Sequence, residues 1–314
     1  MNKIPLAVVA GPTASGKTRL AVSLCKVFHG EVVSADSMQI YHGMQIATAK
    51  PTAEEMNGIP HHMIDFQSPQ EPFSVADYVR LASEEIKNIH NAGHLPVLTG
   101  GTGLYIRSLL QGISYTQQNA DASIRSQLEQ QAETEGPQAL HAELMKEDPG
   151  AAEKIHPHDI KRVIRALEMY RTTGKTQAEN ADASRQEIPY RSCFLCLGFR
   201  DREKLYQRIN ERVGHMMQQG LLREAREVLQ TDCATARQAI GYKELLPYMR
   251  GECSLQEAVA SLKRETRRYA KRQMTWFRRE KDARWLWVDD YETFEDLSQA
   301  AQTIIKNFLK GSSL

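Results

Sequence analysis

The chain predicts an α/β fold, a parallel sheet with flanking helices built around a phosphate-binding loop. Three observations carry that prediction. An apolar run, Ile4–Ala10, leads directly into Gly11-Pro12-Thr13-Ala14-Ser15-Gly16-Lys17-Thr18, the full GxxxxGK[ST] pattern, and a helical stretch follows. Strand and helix signals alternate over the first hundred residues, as expected of a parallel sheet covered on both faces. Two further polar segments, Asp36-Ser37 and Gly100-Gly101-Thr102, fall like the phosphate loop at the carboxyl ends of expected strands, where such sheets bind ligands.

Taken in order, Ile4–Ala10 is the first strand, Lys17–Phe28 a helix and Glu31–Ala35 a second strand. Ser74 reads as an N-cap with Asp77 three residues on, opening a helix that ends near Gly93. Pro96–Leu98 is a third strand, and Leu104–Leu110 starts another helix after Gly100-Gly101-Thr102-Gly103. From about residue 117 the texture turns polar and helical, with Ile160, Val163, Ile164, Leu167 and Tyr170 at helical spacing. Strand character returns at Cys193–Phe199, and a short strand signal at Trp285–Val288 interrupts a mostly helical remainder. The expected organisation is an α/β core over 1–116, a helical insertion over 117–190, and a return to the core over 191–314 with a basic helix at 254–280.

Bulk properties narrow the class. The 314 residues are 41% hydrophobic and 25% charged with a formal net charge of +1, so any polyanion-binding surface must come from local clustering. No stretch reaches the roughly 18 apolar residues of a membrane span, and the first apolar run leads into the phosphate loop rather than a cleavage site. Five cysteines in this length suggest no disulfide framework. A cytoplasmic protein is expected.

Each candidate segment has two readings. In the phosphate loop, Gly11 and Gly16 allow backbone conformations that turn amides inward as an anion nest at a helix N-terminus. Lys17 can reach terminal phosphates and the Thr18 hydroxyl can ligate Mg²⁺. Asp36 can hold a metal or accept a proton from a nucleophile, or it can cap a turn. Gln39 can read an adenine edge or bond nearby backbone. Thr102 offers one hydroxyl at a strand-to-helix turn. Ser261–Glu280 carries eight Lys or Arg against two Glu, a local charge of +6, with Leu262, Tyr269 and Trp276 recurring every seven residues as one packed face. Such a run is a solvated face or a polyanion contact. Lys161, Arg162 and Arg165 form a smaller basic cluster. Cys193 and Cys196 lie three apart in an apolar strand and read as buried on opposite faces. His61-His62 sits in a loop-like stretch, and no metal site of the His/Cys type emerges.

Together the motifs resemble the tRNA dimethylallyltransferase family. They are GPTASGKT, Asp36-Ser-Met-Gln-Ile-Tyr41, Ala47-Thr-Ala-Lys-Pro51, His61-His-Met-Ile-Asp65, GGTGLY and Ala270-Lys-Arg-Gln-Met-Thr-Trp276, in order along nearly the whole chain. Ala47 stands where the family pattern has Gly, and Met63 where it has Leu. The resemblance implies a P-loop NTPase-like core and transfer of a dimethylallyl group from dimethylallyl diphosphate to N6 of the adenosine just 3′ of the anticodon in tRNA. It implies Mg²⁺, with Thr18 as metal ligand, and a monomer whose helical insertion grips the anticodon stem-loop. The phosphate loop, residues Gly11 to Thr18, would hold the diphosphate leaving group rather than ATP. Asp36 would take the N6 proton, with Thr102 near the diphosphate. Asp36, Ser37, Met38, Gln39 and Thr102 would face the target base. Arg125, Lys161, Arg162, Val163, Ile164 and Arg165, with Gly241, Tyr242 and Lys243, would contact tRNA. The shorter bacterial type is expected, since no C-terminal zinc-finger pattern is present. A small-metabolite kinase, a transferase acting on free adenine nucleotides, and a pure RNA-binding module are the alternatives. The first leaves the basic helix and the insertion without a role, and the second has no need of an RNA-gripping module.

Overall fold

The computed structural model describes residues 3–113, 122–183, 187–230 and 238–311. Two compact units divide the chain: Met1–Leu110 with Ile188–Leu314, and Gln111–Glu187.

The first unit is built on six strands: β1 (Ile4–Ala10), β2 (Gly30–Ser34), β3 (His61–His62), β4 (Leu95–Gly100), β5 (Tyr190–Gly198) and β6 (Arg284–Trp287). All pair in parallel, in the order β3-β2-β4-β1-β5-β6. Alternation along the strands decides which face each residue feeds. Leu6, Val8 and Ala10 of β1, with Phe194 and Cys196 of β5, pack on one face against Tyr78, Ala82 and Ile86 of the helix Val75–Asn91. Ala7 and Val9, with Cys193, Leu195 and Leu197, pack on the other against Leu20 and Leu24 of Lys17–Phe28 and Ala301 and Ile305 of Phe294–Leu309. The two cysteines therefore point to opposite faces and are buried. Burying both faces explains why the central strands read as apolar runs rather than alternating ones.

Local signals fix the element ends. Ser74 and Asp77 close a capping box on Val75–Asn91, and Ser254 and Glu257 do the same for Leu255–Phe277, the basic helix. The expected loop at His61-His62 is instead the edge strand β3, paired with Val32 and Val33. Its side chains explain the difference, because His62 bridges Glu31 at 2.6 Å and Glu85 at 3.0 Å and so ties the strand to the sheet. A separate apolar cluster joins Ile40, Tyr41 and Met44 after β2 to Val213, Leu221, Ala225, Tyr242 and Leu262.

The second unit is helical: Ala122–Thr134, Pro137–Glu147, Pro149–Ala152, Ile160–Thr173 and Gln177–Ala183. Its core gathers Leu128, Leu140, Leu144, Val163, Ile164 and Leu167. The buried Asp148 carboxylate accepts from the amides of Ala151 and Gln177, joining two of these helices at their starts. No helix among the described residues is long and apolar enough to cross a membrane.

Candidate active site

Three loops meet at the carboxyl ends of neighbouring strands β2, β4 and β1. The strand order reverses here: the chain leaves β1 toward β2 and leaves β4 toward β5, which opens the crevice where such sheets take ligands.

The phosphate loop follows β1. Gly11 has φ 147°, and a Cβ there would fall 2.7 Å from the Leu197 carbonyl oxygen, so both backbone and space require glycine. Gly16 takes the left-handed conformation at the start of Lys17–Phe28. Lys17 Nζ donates to the Pro12 carbonyl at 2.7 Å, folding the side chain back over its own loop. Burial, then the neighbouring Arg212 charge, push Lys17 down to about 8, with Asp36 opposing. Burial likewise lowers Arg212, with Glu55 and Asp36 opposing. Arg212 also reaches Thr13 Oγ1 at 3.4 Å. The buried Ser15 hydroxyl has no hydrogen-bond partner among the described residues. Two half-buried cations and an orphaned hydroxyl beside a helix N-terminus suit a polyanion. For Mg²⁺, no cluster of three or more His, Cys, Asp or Glu occurs among the described residues. The Thr18 hydroxyl at the loop would nonetheless suit an ion held largely by phosphate and water.

Asp36 follows β2. Its Oδ1 accepts from the amides of Met38 at 2.9 Å and Gln39 at 3.3 Å. Oδ2 accepts no hydrogen bond among the described residues. The two readings of this carboxylate are thus compatible: one oxygen caps the turn and the other is open. Asp36 lies close enough to Lys17, Arg212 and Tyr269 for its charge to bear on all three.

Thr102 follows β4. Its amide donates to the Ala35 carbonyl at 3.1 Å, and its hydroxyl accepts from the Ser37 amide at 3.0 Å. A Cβ at Gly100 would fall 2.1 Å from Ala35 O, so glycine lets the two loops touch. Above them runs Leu255–Phe277. Burial and the Asp36 charge push the Tyr269 phenol up, keeping it protonated. Gln273 accepts from the Thr13 amide at 2.9 Å and donates to the Gly101 carbonyl at 3.0 Å.

Several residues expected to meet ligand have other work in this structure. The Gln39 amide donates to the carbonyls of Thr48 and Ala49, holding a loop rather than projecting toward a base. Met38 packs against the apolar cluster behind it. Val163 and Ile164 lie inside the helical unit, 0% and 4% exposed, because the helical period that aligns them with Leu167 turns them inward. Gly241 and Tyr242 are buried as well. The Tyr242 hydroxyl donates to Glu224, whose carboxylate also accepts the amides of Gln45, Ile46 and Ala47. They brace the loop after β2 from behind. Lys161, Arg162, Arg165, Arg125 and Lys243 are exposed. All but Lys161 have acidic neighbours: Asp159, Glu168, Glu129 and Glu244 respectively.

Sequence reasoning missed Arg212, Tyr269 and Gln273. Tyr269 and Gln273 are one turn apart on one helix, a spacing that marks a shared face. Arg212 carries no local signal.

Comparisons with known proteins identify the family. A profile of the IPP transferase family matches residues 39–280. The tRNA dimethylallyltransferase of Caldanaerobacter subterraneus is 46% identical over 301 residues, 94% of this chain and 96% of that protein. The crystal structure of a tRNA isopentenylpyrophosphate transferase from Bacillus halodurans is 44% identical, covers 98% of each chain and gives a TM-score of 0.74. A eukaryotic dimethylallyltransferase captured acting on tRNA is 29% identical, covers 99% of this chain and 81% of its own, and gives a TM-score of 0.85. On sequence and fold alike, the chain belongs to the IPP transferase family.

Proposed function

We propose that the protein transfers a dimethylallyl group from dimethylallyl diphosphate to N6 of the adenosine just 3′ of the anticodon in tRNA. One observation carries the reading: a cationic, anion-demanding loop and an open carboxylate oxygen lie at strand ends on one edge of the sheet. Both are needed when an amine displaces diphosphate. The amides of the phosphate loop, Lys17 and Arg212 hold the diphosphate and stabilise the charge that grows on it as it leaves. As the N6–C1 bond forms and the C1–O bond breaks, Asp36 Oδ2 takes the N6 proton. Thr102 and Tyr269 line the edge between them. The Thr18 hydroxyl would hold Mg²⁺, which would supply further neutralisation of the leaving group. The target base must leave its stack to enter such a pocket. Arg125, Lys161, Arg162 and Arg165 supply exposed charge for the anticodon stem.

The test offers labelled dimethylallyl diphosphate to the protein with tRNA, with AMP, or with no acceptor. Label in tRNA alone is the expected result. Label in AMP identifies a nucleotide transferase, and no transfer at all removes the proposal.

A further inference from the structure

We propose that Gln273 is a positioning residue that clamps the phosphate loop to the loop after β4, fixing the diphosphate relative to Asp36 and Thr102. The proposal rests on the reading of the site as a diphosphate pocket. Gln273 is 5% exposed near the end of Leu255–Phe277. Burying a primary amide is costly unless both of its ends are bonded, and here both are. The Thr13 amide can only donate and the Gly101 carbonyl can only accept, so the partners fix which end of the side chain faces each loop.

Glutamate accepts from Thr13 but cannot donate to Gly101, lysine does the reverse, and asparagine is a methylene short. Gly101 is matched to the same clamp, because a Cβ there would fall 2.2 Å from Gln273 Nε2. One turn earlier on the same helix stands Tyr269. The clamp also occupies the Thr13 amide.

Group transfer needs the diphosphate on one loop and the base and hydroxyl on the others held in a single geometry. A misplacement of about 1 Å costs about 10²-fold in rate. Two full-length variants separate the two halves of the clamp. Gln273→Met removes both bonds. Gln273→Glu keeps the bond from Thr13 and loses the one to Gly101. Hydrogen exchange without substrate reads the clamp directly. Exchange of the 11–16 segment should rise about tenfold in the Met variant, the worth of one hydrogen bond, and should stay near the parent's in the Glu variant. Both variants should lose about 10–100-fold in kcat, with the KM for tRNA little changed; inorganic diphosphate affinity should hold in the Met variant and fall in the Glu variant, whose carboxylate repels the anion. A parental kcat in either folded variant overturns the proposal. So does a rise in exchange spread uniformly over the sheet, which would mark general destabilisation. Failure of the parent protein to modify tRNA would instead remove the assigned reaction, while the exchange measurement still reports on the clamp.

Discussion

Replacing Asp36 by asparagine separates its two jobs. Oδ1 accepts from Met38 and Gln39, and Oδ2 is open. Asparagine keeps an oxygen for both amides, and Asn and Asp are nearly equal as caps. Stability should therefore change by less than about 0.5 kcal/mol, a melting shift of about 1 °C or less at this size. Alanine removes the cap and should cost about 1 kcal/mol. As a base, the amide is useless at neutral pH. Loss of general-base help is worth about 10²–10⁴-fold, or about 3–5 kcal/mol of barrier. The charge change has a sign of its own. Asp36 opposes the lowering of Lys17 and Arg212, and it repels an anion. Without it, diphosphate should bind as well as before or slightly tighter near pH 7. The assay is single-turnover transfer with saturating tRNA, alongside calorimetric titration of inorganic diphosphate. An asparagine variant that folds and turns over within about threefold of the parent would end the general-base assignment. Rescue of a slow variant by added Mg²⁺ would reassign the carboxylate to the metal.

Lys17→Ala and Thr18→Ala should both weaken transfer, seen as altered dependence on dimethylallyl diphosphate and Mg²⁺. Lys17, lowered to about 8, is protonated when an anion binds, so diphosphate affinity should fall above pH 8 with proton uptake that calorimetry in two buffers detects and Lys17→Ala abolishes. The same shift makes the free protein gain stability from this group as pH rises from about 8 to 10.5, where the unfolded chain holds more protons, and urea midpoints against Lys17→Met check the sign. Replacing residues 120–185 with a short linker should abolish tRNA binding and leave diphosphate binding intact. The triple variant of Lys161, Arg162 and Arg165 to alanine should flatten the salt dependence of tRNA affinity by about one unit of slope for each phosphate no longer neutralised. Glu224→Gln puts a donor where backbone amides already donate and should cost about 1–3 kcal/mol, read as a lowered melting temperature with the loop after β2 exposed to protease.

Signals that act over a few residues were legible in the chain. Gly11 and Gly16 mark the phosphate loop because only a left-handed or crowded backbone needs them there. Ser74 with Asp77 marks a helix start because one side chain satisfies one amide three residues on. Cys193 and Cys196 divide between two faces because a strand repeats every two residues. The same kind of periodicity, followed through a helix, turns Val163 and Ile164 away from any RNA, since a residue that completes a core cannot also present its side chain to a ligand. Only the tertiary structure brought Arg212, Tyr269 and Gln273 to the strand ends. Gln273 meets Thr13 across 260 residues of chain. No local spacing encodes such a meeting, because it depends on where a whole helix comes to rest on the sheet. Likewise Glu224 reaches the amides of the 45–47 loop from a helix that shares no motif with it. Local backbone preference decides what each segment becomes. Burial of apolar faces decides which segments meet, and the polar groups of the site take their partners from that packing.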